Sequence, residues 1–193
     1  HARLLGPPVI PDWADVALRF LHYGALLPFF GLIAYPAYSR TPGGTMPGRT
    51  VAALGAICLI VSSAAFALTL QAMTGSPVFE IDRELARFVI LDTPTGVAFL
   101  ARTALLAATI AVAAMPRCRW FALPLVGGAV ATLAWSGHAA ATEGIAGTVH
   151  RIVDAAHLLA AGAWLGALLL LLAASTSGPP AQSGPDRLVA ALR

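Results

Sequence analysis

Charge in this chain is confined to a few short clusters, and what separates them is long enough to cross a bilayer. The uncharged intervals run from Arg19 to Arg40, Arg49 to Glu80, Arg119 to Glu143 and Asp154 to Asp186, and Asp92 to Arg117 is interrupted by Arg102 alone. A helix needs roughly 20 apolar residues to traverse about 30 Å of hydrocarbon, and each interval supplies them. No alternation of period two accompanies these runs. In lipid every backbone group must find its partner within the segment or in a closed barrel, so the pattern predicts an all-α polytopic transmembrane helix bundle. Five spanning helices are expected near 17–38, 51–73, 95–115, 120–141 and 149–173. The composition, 58% hydrophobic and 11% charged, agrees with the lipid bilayer as the main partner.

Proline and glycine mark the connections. TPGGTMPG (41–48) reads as a loop, MPRCR (115–119) as a tight turn and STSGPPAQSGPD (175–186) as a flexible connector. Residues 1–16 form an N-terminal segment outside the bundle, which occupies 17–173. Segment 76–92 reads as an amphipathic surface helix with Phe79, Leu85, Phe88 and Val89 near one face. Residues 174–193 form a connector that ends in RLVAALR, which has the composition of the start of a truncated sixth helix.

All twelve basic residues are arginine. Arg40, Arg49, Arg117, Arg119, Arg187 and Arg193 fall on one side by helix counting, with Asp186 as that side's acid. The positive-inside bias makes this side cytoplasmic and puts the N-terminus in the periplasm. The net charge of +3 follows from this topology and lacks the aromatic interleaving of a nucleic-acid surface, so no nucleic acid is expected as partner. Cys58, within the second span, and Cys118, in a cytoplasmic turn, are expected as free thiols.

Polar residues within the spans need a reason, because an aspartate facing lipid costs several kcal/mol. In HRIVDAAH (150–157) a helical periodicity of about 100° per residue places His150, Asp154 and His157 at about 0°, 40° and −20°, on one stripe. His22 and His138 lie near the outer ends of the first and fourth spans. Four imidazoles and a carboxylate thus collect in the outer half of the bundle. His150 and His157 are roughly 10 Å apart along the axis, too far to clasp one ion together, so the arrangement reads as a shallow site with one deeper histidine. Imidazole and carboxylate suit copper or zinc, and Met73, at the outer end of the second span, adds a thioether that favours Cu(I). Arg102 is expected to pair with Asp154 or with an acid of 80–92. Gly162 and Gly166, in a GxxxG spacing, are expected to admit a closely packed helix.

The stretches SGHAAA (136–141) and HRIVDAAHLLAAGAWLGALLLL (150–171) resemble the signature of the CopD family of bacterial inner-membrane copper proteins. RFLHYGALLPFFG (19–31) is similar to that family's first helix, and TPTGVAFLARTALL (93–106) resembles its segment of threonine, glycine and arginine. The likeness covers roughly 17–173 and implies copper, as Cu(I) or Cu(II), handled across the cytoplasmic membrane beside a periplasmic copper-binding partner of the CopC type. His22, His138, Asp154 and His157 occupy matching positions. Family members usually carry about eight helices, more than are expected here. The leading expectation is therefore copper import or delivery by a non-enzymatic transporter. Two alternatives stand beside it: a b-type cytochrome holding haem b between paired histidines, and a non-catalytic docking partner for a periplasmic copper chaperone.

Overall fold

The computed structural model describes residues 12–39, 46–136 and 144–176. The described residues form six α-helices, α1 (Asp12–Tyr38), α2 (Gly48–Thr74), α3 (Arg83–Asp92), α4 (Pro94–Ala113), α5 (Ala122–Ala131) and α6 (Gly144–Thr176), with short 3-10 turns before α3, before α5 and after α5. Five stretches are long and apolar enough to span a membrane: Asp15–Tyr38, Gly48–Thr74, Pro94–Ala113, Pro116–Trp135 and Gly144–Thr176. The fourth differs most from expectation. Its helix begins in a 3-10 turn at Pro116 rather than near 120, because proline at a first helical position has no N–H to leave unsatisfied. A second 3-10 turn, Thr132–Trp135, closes its described part, and residues 137–141 lie outside the described residues.

Local chemistry sets the helix ends. Gly75 takes a positive φ of 68° and closes α2 through its N–H to the Gln71 carbonyl at 2.8 Å. Segment 76–92 is therefore not one helix: Val78–Glu80 is a 3-10 turn, and α3 begins only after Asp82, whose carboxylate accepts from the Glu84 and Leu85 amides. Of the four residues expected on its apolar face, Val89 is buried while Phe79, Leu85 and Phe88 are exposed. Thr93 joins α3 to α4. Its hydroxyl accepts from the Gly96 amide at 3.0 Å and donates to the Val89 carbonyl at 2.6 Å. A side chain at Gly96 would run into the Val89 and Ile90 carbonyls, so glycine permits this tight corner.

Helices α1, α2, α4 and α5 form a square, each packed on its two neighbours, and α6 lies outside it against α1 and α5. Leu26, Phe29, Leu106, Val126, Val130 and Leu133 fill the centre of the square. Phe66 of α2 stacks on Phe99 of α4 at 4.0 Å between ring centroids. The outer helix is attached differently. Only Gly147, Gly162 and Gly166 are buried along α6. A methyl group on Gly31 would overlap the Gly162 carbonyl, and one on Gly166 would overlap the Gly31 backbone. Helix α6 therefore meets α1 backbone to backbone, in the role expected for the GxxxG pair. The Tyr38 hydroxyl donates to the Ala163 carbonyl at 2.7 Å and ties the same two helices together at the C-terminal end of α1.

Candidate functional site

A polar node lies inside the half of the square that holds the N-terminal part of α1, and each of its four walls contributes to it. His22 comes from α1, Ser62 from α2, Arg102 from α4 and Thr132 from the turn that ends the fourth span. Arg102 is 3% exposed, His22 6% and Ser62 0%. Arg102 Nε donates to Thr132 Oγ1 at 2.9 Å and Nη2 donates to Ser136 Oγ at 3.3 Å. Its Nη1 lies 3.5 Å from His22 Nε2, and Ser62 Oγ lies 3.0 Å from the same nitrogen. A guanidinium can only donate, so His22 Nε2 is the acceptor, the Ser62 hydroxyl donates to it, and the ring proton sits on Nδ1.

Arg102 thus bonds hydroxyls and an imidazole rather than the carboxylate expected from the sequence. The geometry explains why. Asp154 is on α6, outside the square, and the acids of α3 are exposed on a short helix packed against α2 and α4. Asp154 is half-buried and comes within electrostatic reach of Tyr23, as does Arg102. An ion pair does form at the rim, Arg19 Nε to Asp15 Oδ2 at 2.8 Å. One turn apart on an exposed helix face, it adds little stability.

Beside the node is a cavity of about 140 Å³, lined by Asp15, Arg19, His22, Tyr23, Thr69 and Thr95 among others. Asp15 and Arg19 bring charge to its lining, Tyr23, Thr69, Thr95 and Ser136 bring hydroxyls, and His22 joins it to the node. It can admit water or a small ion to the edge of the node.

The other expected ligands are placed elsewhere. His150 and His157 are exposed on α6, and Asp154 between them is half-buried. Met73, at the end of α2, is 49% exposed. His138 lies outside the described residues. Among the described residues, no three His, Cys, Asp or Glu side chains come close enough to hold one metal ion. His22 is separated from the α6 histidines because it points into the square and they point out of it.

Sequence reasoning missed Ser62, Thr132 and Ser136. Hydroxyls in apolar helices commonly bond their own preceding turn, as Ser63 does to Leu59, Thr69 to Ala65 and Thr109 to Leu105. Nothing in the sequence separates Ser62 from Ser63. Arg102, the lone charge within its interval, was the one available signal.

Four apolar spans closed around a histidine, an arginine and three hydroxyls, with a fifth packed outside them, make this a polytopic membrane protein with a buried polar node inside its helix square. Residues 10–148 match the family model described as copper resistance protein D-like, N-terminal domain, and the chain belongs to that family. It is 34% identical over 169 residues to copper resistance protein D of Pseudomonas syringae pv. tomato, covering 82% of this chain and 54% of that protein. It is 28% identical over 166 residues to inner membrane protein YebZ of Escherichia coli strain K12, covering 81% and 56%. The chain spans about half the length of these curated relatives. No solved structure matches it. Family and spans together make it a multi-pass inner-membrane protein.

Proposed function

We propose that this chain carries copper inward across the cytoplasmic membrane, with its N-terminus in the periplasm and its arginine-rich ends in the cytoplasm. The family match and the name of the Pseudomonas relative support copper as the cargo. The observation that supports the route is the polar cavity beside the node, lined by His22 and Tyr23, with Asp154 of α6 within electrostatic reach of that tyrosine. Copper arrives from the periplasm, handed over by a copper-binding partner of the CopC type, and meets His138, His150 and Asp154. Met73 adds a thioether for Cu(I) at the same level, and His157 receives the ion roughly 10 Å deeper along α6.

Arg102 limits what His22 can do on this route. For Nε2 to ligate copper, Ser62 and Arg102 must first release it. A guanidinium about 5 Å from a bound monovalent ion opposes it by about 3 kcal/mol at an effective dielectric near 20. His22 is thus a weak and reversible position, which suits a pathway whose sites must capture and also release. Ligand exchange breaks no covalent bond of a substrate, so the protein acts as a carrier rather than an enzyme. The test is copper accumulation in cells expressing the chain, with protein matched in the membrane. His157→Ala and Asp154→Asn each lower accumulation toward the level of cells lacking the protein. Variants that load as much copper as the parent would refute the route.

A further inference from the structure

The opposite end of the bundle holds a second cavity of about 140 Å³, between the last turns of α1, the start of α2 and the turn Pro116–Phe121. Its walls are almost entirely hydrocarbon, from Leu32, Ile33, Pro36, Met46, Val51 and Leu123, and Arg119 and Trp120 form its rim. Trp120 is 82% exposed, and Phe121 beside it is also exposed. Arg117 is exposed in the same turn, and Arg49 is exposed at the start of α2, where Gly48 abuts the Ala113 carbonyl. Among the described residues this end carries net positive charge.

We propose that this apolar slot with an arginine and tryptophan rim binds one anionic phospholipid, an acyl chain in the slot and the phosphodiester against Arg119 and Arg117. The slot offers water and free phosphate almost no hydrogen-bonding partner, whereas a fatty chain gains from its walls. Indole side chains settle at headgroup depth, so the exposed Trp120 marks this as the level where chain and headgroup meet. A basic rim selects an anionic headgroup over a zwitterionic one, by roughly fivefold for each arginine at the surface. The site is independent of the residues proposed to hold copper, none of which lines this slot.

The test is native mass spectrometry of the detergent-purified chain given phosphatidylglycerol and phosphatidylcholine with matched acyl chains. The parent retains one phosphatidylglycerol preferentially. Arg117→Gln with Arg119→Gln reduces that preference, and Ala37→Phe, which fills the slot from an exposed position, abolishes retention of both lipids. Equal retention of the two lipids by the parent overturns the proposal. So does unchanged retention in Ala37→Phe, a variant that leaves the arginines intact. Stabilisation of the parent by inorganic phosphate as large as that by phosphatidylglycerol would also overturn it, by showing an anion site that has no use for the slot.

Discussion

Replacing Gly31 by alanine is a direct test of how α6 is held. The new methyl carbon would meet the Gly162 carbonyl oxygen, and it would lie 2.7 Å from the Gly166 nitrogen and 2.8 Å from its Cα. All three are backbone atoms of a continuous helix and cannot swing aside, so α1 and α6 must separate. Separation stretches the Tyr38 bond to Ala163 and opens a gap along an interface held by close packing rather than by hydrophobic burial. Overpacking of this kind costs about 1–3 kcal/mol. Gly24 lies on the same helix with nothing within 4 Å of its virtual methyl group. Gly24→Ala meets no clash and gains up to about 1 kcal/mol from helix propensity. The two substitutions, chemically identical and seven residues apart, thus move stability in opposite directions, separated by roughly 1–4 kcal/mol. Reversible unfolding of the purified protein by SDS titration measures both. If Gly31→Ala unfolds at the same SDS fraction as Gly24→Ala, the backbone contact between α1 and α6 is not what the geometry requires.

Three further outcomes are expected. Arg102→Ala destabilises the bundle by about 2–4 kcal/mol through the cavity it leaves. Arg102→Met stays close to the parent in the same titration, because Thr132 keeps its bond to the Ala129 carbonyl and His22 keeps Ser62. Cys58 is buried and Cys118 half-exposed, so one thiol per folded chain reacts with a membrane-permeant maleimide and two react in SDS. An impermeant maleimide applied to spheroplasts leaves Cys118 unlabelled, and labelling it from outside would reverse the proposed orientation. The purified protein shows no Soret band, since His22 Nε2 is engaged by Ser62 and Arg102 while His150 and His157 share one helix. A strong band would restore the haem alternative.

How far the site could be read in advance depended on which direction a side chain faced. Helical periodicity placed His150, Asp154 and His157 on one stripe, and α6 is one continuous helix through all three. Periodicity states what a residue shares a face with, and is silent on which way that face turns. The packed face of α6 is defined by Gly147, Gly162 and Gly166, the positions where another backbone comes close, and the histidines fall beside that face rather than on it. His22 had the same apparent depth as the others but points into the square, where Ser62 and Arg102 claim it.

Alone, the amino-acid order settled the spans, the class of fold and the family, because crossing a bilayer demands long uncharged runs and the backbone inside them has few ways to satisfy itself. It also marked Arg102 and the histidines as residues needing an explanation. Which helices face one another, and therefore whether Arg102 meets an acid or a ring of hydroxyls, was decided by tertiary packing. In lipid the apolar faces of helices are nearly equivalent in energy, and small differences such as a glycine that lets two backbones touch select the partner.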